Sequence, residues 1–429
     1  MPDVLQRPAP QVPAADTSLL AAVRRAARNA AWLFSSQTVM RLIGFALGTV
    51  LARVFGAAQF GQYMFVMAYV TYFAFLADAG LGRYLIRDAA REPGRAQEFL
   101  AKVGALRLVL AGAVYLLLIL GALLTRAGSE RTAYIAVAGT TLFAGALSGA
   151  LCSMFNAREQ MKVTAFFQVL STTLTALFVI AALLAGLGLP GVFLGAALAN
   201  LPGVLYLVVE WRRRVGPPGL AIDVPFWRIA LRRSFPYALL GIIGLIYFRM
   251  DSLLLTWIVG AEANGIYTAA YRLLDAVTDI PGVIVAAMFP TLARLHVESR
   301  AQLRRTYLGA VTLLAALGVP VLIGLLLLAR PIVLLLYGEE FAESTIVLQI
   351  LAVAVFLIFI DTANTMVLYA GEDLRPVVAL SVVTMSANLI LCLFLIPRYE
   401  ERGAAVATVL SSAISLAIFT PVVLRSLRR

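Results

Sequence analysis

FPYALLGIIGLIYFRMDSLLLTWIVGAEANGIYTAAYRLLDAVTDIPGVIVAAMFPTLAR, residues 235–294, decides the fold. It reads as two long apolar helices joined by a short turn at residues 260–264. Each is long enough to cross a bilayer, which takes about 20 residues. Yet the hairpin carries Arg249, Asp251, Arg272, Asp275 and Asp279 in its interior. An ionised side chain at membrane depth costs about 2.5–3.5 kcal/mol even on the insertion scale. These charges therefore need partners, a water-filled cavity, or both. Counting inward from the turn at about 1.5 Å per residue puts Asp251 level with Arg272 and Arg249 level with Asp275. The spacing predicts two cross-helix ion pairs. Asp279 is left to face a cavity or meet another helix.

The rest of the chain agrees with a membrane reading. Of 429 residues, 61% are hydrophobic and only 14% charged, and apolar runs of spanning length recur throughout. The class is all-α polytopic. Spans are predicted near 30–54, 61–82, 100–125, 132–154, 163–187, 191–210, 234–259, 264–290, 306–328, 344–369, 375–396 and 403–424, about twelve helices in all. The Pro-rich start, MPDVLQRPAPQVPAADTS, lacks an apolar core with a small-residue cleavage site, so residues 1–28 read as a disordered or amphipathic cytoplasmic tail.

Basic residues set the orientation. The tail, the inner loops and the C-terminus hold most of them. The opposite loops hold only Arg53, Arg126, Arg131, Arg330, Arg398 and Arg402, and Arg41, Arg249 and Arg272 are placed within spans. The positive-inside rule then puts both termini in the cytoplasm. The same sidedness accounts for the net charge of +12 without nucleic acid as a partner.

The chain also repeats itself. Gly56-Ala57, Gly61 and Tyr63 recur as Gly260-Ala261, Gly265 and Tyr267, at a constant offset of 204. Gly195 to Ala199 recurs, with one change, as Gly403 to Ala407. Two six-helix halves of like orientation follow: a first lobe at 29–214, a basic linker at 215–233 and a second lobe at 234–429. In transporters such repeats rock about a site between them.

Catalytic motifs are scarce. The sole histidine, His296, sits in a basic loop, and no GxxxxGK[ST] phosphate loop appears. Cys152 and Cys392 both fall within predicted spans, so no disulfide, metal or cofactor site is expected. No enzyme activity is expected. What remains is the set of charges within spans. Gln37, Arg41, Gly44 and Gly48 share one helical face, which makes Arg41 either part of a cationic cavity wall or the partner of a neighbouring acid. Asp251, Asp275, Asp279 and Asp361 are candidates for binding a coupling proton or sodium ion. Asp361 is the most isolated of them, with Asn364 one turn away. Asp78 reads as structural, beside Arg83.

Several stretches carry a family resemblance. RLIGFALGTVLARVFGAAQFGQYMFV, FLADAGLGRYLIRDAAR, IYFRMDSLLLTWIVGAEANGIYTAAYRLLDAV, FPTLARL, RPIVLLLYGEEFAESTIVLQILA and NLILCLFLIPRYEERGAAVAT resemble the Wzx-type polysaccharide flippases, of the MATE-like MOP superfamily. The resemblance runs from about Arg24 to near the end of the chain. It implies a two-lobe MATE-like fold in a bacterial cytoplasmic membrane. The implied cargo is an oligosaccharide linked to polyprenyl pyrophosphate, moved for surface polysaccharide assembly. Membrane lipids, a polysaccharide polymerase and glycosyltransferases are the implied partners.

Arg41, Arg249 and Arg272, with Gln37, are the substrate-binding candidates, because guanidinium matches phosphate oxygens with a planar fork of donors. Two other readings stay open. A multidrug or cation antiporter shares the fold but wants acidic walls, and a membrane-embedded biosynthetic enzyme lacks its catalytic constellation here.

Overall fold

In the computed structural model, residues 15–125, 128–369 and 375–427 are described. Side chains at 15–27, at 239–249 and at scattered positions of 279–297 fall outside that description. The side chain of His296 and residues 371–373 are outside it too.

Among the described residues all regular structure is helical. The order is α1 (Ala15–Asp78), α2 (Leu81–Arg91), α3 (Ala96–Leu124), α4 (Ser129–Gly139), α5 (Thr141–Ala157), α6 (Met161–Leu184) and α7 (Gly188–Arg214). The second half holds α8 (Val224–Ile258), α9 (Ala261–Glu298), α10 (Arg300–Tyr337), α11 (Ser344–Tyr369) and α12 (Arg375–Ser426). Short 3-10 turns lie at Pro93–Arg95 and Glu339–Phe341. Among the described residues, eight helical segments are long and apolar enough to cross a membrane. The chain is an all-helical, multi-pass membrane protein.

Where the sequence predicts a loop between spans, α1 and α12 run almost unbroken. In α1 only Gly56 leaves the helical region (φ 68, ψ 178), and in α12 only Glu400 does (φ 51, ψ −129). Gly56 can adopt its positive φ without a Cβ penalty. At the repeat-related position Gly260 (φ 142) separates α8 from α9.

Helix α8 begins at Val224, earlier than the predicted span. Asp223 caps it, accepting a hydrogen bond from Phe226 N at 2.9 Å, and Pro225 occupies the first turn. Residues leading into α8 are strapped to α3. Ala221 N donates to Ala101 O (3.1 Å), Trp227 Nε1 to Lys102 O (2.9 Å), and Lys102 pairs with Asp223 at 2.6 Å.

The main core joins the two halves of the chain. Leu51, Phe60 and Met64 of α1 pack with Leu255, Tyr267, Ala269, Phe341 and Leu351 of the second half. At its centre α1 and α9 meet without intervening side chains. A Cβ on Gly61 would lie 1.7 Å from Ala261 O, and one on Gly265 would lie 2.0 Å from Ala57 O. Small residues are what let helix backbones approach this closely in a membrane.

Candidate functional site

Four of the charged residues singled out by the sequence, Arg272, Asp251, Asp275 and Asp361, divide between two places. The first is the seam where α1 meets α9. Ala261, Gly265, Thr268 and Arg272 follow one another at spacings of four, three and four, so they share the face of α9 turned to α1. Asn264 Nδ2 donates to Gly61 O at 3.0 Å, and its Oδ1 accepts from Ser252 Oγ (2.7 Å) and Thr268 Oγ1 (3.1 Å).

Two turns along, Arg272 reaches across. One terminal nitrogen donates to Gly44 O at 2.6 Å and Phe45 O at 3.3 Å, and the guanidinium lies 5.8 Å from the Phe45 ring centre. Gly48 makes the room, since a Cβ there would lie 2.3 Å from Arg272 Cζ. The Tyr337 hydroxyl lies beside this guanidinium. Arg272 Nε is buried and has no hydrogen-bond partner among the described residues. Arg41 and Gln37 occupy exposed positions further back along α1. Arg249 belongs to α8, but its side chain lies outside the described residues.

The Asp251–Arg272 pair expected from equal depth does not form. Asp251 is buried, and its oxygens accept from Ser252 N (2.7 Å) and from the Tyr267 hydroxyl. Depth along a helix fixes level but not direction: Arg272 reaches Gly44 and Phe45 of α1, while Asp251 binds Tyr267 and lines a cavity in the second half. Tyr267 is 1% exposed and serves as a carboxylate partner.

The second place is a cavity of about 300 Å³ within the second half of the chain. Asp251, Asp275 and Asp361 line it, with Asn388 of α12 and a row of hydroxyls on α12 formed by Thr408, Ser411, Ser412 and Ser415. Asp361 accepts from Ser415 Oγ at 2.6 Å and from Asn364 Nδ2 at 3.0 Å. Behind it Asn364 accepts from Tyr307 OH at 2.8 Å. Among the described residues the lining pairs three carboxylates with neutral oxygen side chains and holds no basic one, surroundings that favour positive charge. The side chain of Asp279, the fourth acid of the set, lies outside the described residues.

Sequence reasoning missed one buried base. Arg107 of α3 is 3% exposed and pairs with Asp78, which was expected beside Arg83. Its signal was present: Arg107 sits inside a predicted span. Gly149 accommodates it, as a Cβ there would lie 2.4 Å from Arg107 Nη1.

The chain matches the polysaccharide biosynthesis protein family over residues 26–296 and the lipid II flippase MurJ family over residues 264–428. It is 25% identical over 337 residues to the succinoglycan biosynthesis transport protein ExoT of Rhizobium meliloti, spanning 76% of this chain and 65% of that protein. To the probable flippase AglR of Haloferax volcanii it is 27% identical over 169 residues, spanning 38% of this chain and 35% of that protein. The matches thus cover less than two thirds of these relatives' own length.

Among solved structures, the lipid II flippase MurJ in an inward closed conformation is similar with a TM-score of 0.76 at 14% identity, over 92% of this chain and 88% of that one. An inward-facing multidrug resistance MATE family transporter of the MOP superfamily gives 0.66 at 13% identity, over 92% and 94%. At these identities the likeness concerns the fold. The chain belongs to the polysaccharide biosynthesis protein family.

Proposed function

We propose that this protein flips an oligosaccharide linked to polyprenyl pyrophosphate across the bacterial cytoplasmic membrane by alternating access, for surface polysaccharide assembly. The observation that carries this reading is Arg272. Its guanidinium is spent on two backbone carbonyls of the opposite half, forms no ion pair among the described residues, and retains an unpartnered Nε. A pyrophosphate offers stronger acceptors than a carbonyl, so a head group entering the seam would compete for this fork. Arg41, Arg249 and Gln37 complete the proposed head-group site. In an MWC-like picture, substrate shifts the two states only as far as its affinities for them differ.

In this reading the chain crosses the membrane twelve times, counting α1 and α12 twice each and α4 with α5 as one pass. Two six-helix lobes rock against each other, both termini face the cytoplasm, and the Gly56–Gly260 end faces out. Asp251, Asp275, Asp279 and Asp361 hold the coupling ion. A polymerase and glycosyltransferases act before and after the transfer.

The acid-lined cavity is the one observation that favours a second reading, a cation or multidrug antiporter. Cells that need the protein for polysaccharide export separate the two. Arg272→Gln should abolish export while the protein still inserts, and Arg272→Lys should restore part of it, keeping charge but losing the fork. Full export by Arg272→Gln, together with cation efflux lost in Asp251→Asn, would establish the antiporter instead.

A further inference from the structure

At the rim of the seam, each half of the chain places a charge on the end of a helix from the other half. Helix α1 breaks at Gly56, so a fresh helix begins at Ala57 with unpaired N–H groups and a positive dipole end. Glu340, from the turn after α10, sets its Oε2 there: a Cβ on Gly56 would lie 2.1 Å from it. In the other direction α10 ends at Tyr337 and leaves its last carbonyls unpaired. Arg53, just before the break in α1, donates Nε to Leu336 O at 2.8 Å and a terminal nitrogen to Leu335 O.

Glu340 thus lies against the break that opens one helix, and Arg53 binds the last carbonyls of another, both across the seam. Both side chains are exposed, so neither belongs to the buried site. The arrangement is one-sided. At the repeat-related break, Gly260, an added Cβ would have no atom within 4 Å.

We infer that Arg53 and Glu340 form a reciprocal capping latch that sets how readily this end of the seam opens. The inference rests on the reading that the two halves rock apart here, because separation would break both caps at once. Neither residue touches cargo. The latch acts on the balance of states, and its failure would be seen with no polysaccharide present.

Spin labels at Gln59 and Ala342, exposed positions on the two sides of the rim, report that balance by double electron–electron resonance in nanodiscs. Glu340→Gln and Arg53→Gln should each raise the open-to-closed ratio roughly two- to five-fold, the range for exposed charges at helix ends. Glu339→Gln, on the same turn, should leave it unchanged. Exchanging the charges (Arg53→Glu with Glu340→Arg) should open the rim more than either single variant, because both helix ends then meet the wrong sign. The unmodified protein supplies an arm that needs no foldable variant. At about 1 M salt, where the Debye length is roughly 3 Å, its open share should rise as well.

A charge exchange that restores the closed ratio would mean a simple ion pair and overturn the latch. An open share unmoved by salt and by both single variants would overturn it too. If the distances respond as expected but no glycan is moved by any form, the latch stands and the proposed cargo falls.

Discussion

Gly61 and Gly265, corresponding positions of the two repeats, face each other across the seam. A Cβ on Gly61 would lie 2.7 Å from Gly265 N, and one on Gly265 would lie 3.1 Å from Gly61 N. Each also abuts the residue four before the other's position, Ala261 for Gly61 and Ala57 for Gly265. The contact is self-complementary, as expected where a two-fold axis passes between related surfaces. The sequence repeat has become a contact between its own copies.

Alanine at either glycine should therefore hold the halves apart. The atoms met are backbone, which cannot swing aside, and overpacking of this kind costs about 1–3 kcal/mol. In a cysteine-free background, a cysteine at Thr268 should react faster with a water-soluble thiol reagent when Gly265→Ala is present. Equal labelling rates would mean that the seam tolerates the extra atom.

Gly48→Ala should act through Arg272. The added methyl would overlap the end of a flexible side chain, so the guanidinium moves and its bonds to Gly44 and Phe45 are lost. Export should fall as far as in Arg272→Gln, and the double variant should fall no further, since both changes remove one interaction. Additive losses would show that Gly48 matters for another reason.

For the cavity, ion binding should stabilise the folded protein. A ligand at about 100 times its Kd adds about 2.7 kcal/mol. The rise in Tm with sodium, or with proton concentration, should vanish in Asp251→Asn and Asp361→Asn. It should persist in Arg272→Gln, whose site is separate. A shift retained in both aspartate variants would remove the cavity from ion coupling.

The strap between α3 and the start of α8 gives a pH dependence. Lys102, and then the Phe226 amide, hold the Asp223 carboxyl below its ordinary value. The folded-state value is the lower one, so the strap contributes in full above the ordinary carboxylate range and is lost as pH falls through the depressed value. Protease cleavage within 215–223 should stay slow at neutral pH and speed up in strong acid. Asp223→Asn should show the fast rate at neutral pH.

Much of this was legible before the structure. Helical periodicity and span length gave the fold class. The 204-residue offset pointed to two related halves, and the structure adds that its glycines Gly61 and Gly265 meet at the seam. The partners of the charges were not legible. Equal depth placed Asp251 opposite Arg272, but direction around α9 decided the outcome. A helical-face count from Ala261 through Gly265 to Arg272 carried that signal. The stripe of Arg41, Gly44 and Gly48 was visible too, yet its two glycines receive Arg272. The capping by Arg53 and Glu340 could not be read, since it depends on two helix ends meeting in space.

The central claim is that an anionic head group is recognised at the Arg272 seam, apart from the acidic cavity. The most direct measurement uses purified protein in proteoliposomes holding a polyprenyl-pyrophosphate glycolipid and a matched glycolipid without phosphate. Movement between leaflets is followed with an impermeant reagent that modifies only exposed head groups. We expect the pyrophosphate lipid to cross and the neutral one to stay. Arg272→Gln should slow crossing roughly 10- to 100-fold, as loss of a hydrogen bond to a charged group implies. Equal crossing of both lipids, or an unimpaired Arg272→Gln, would contradict the account.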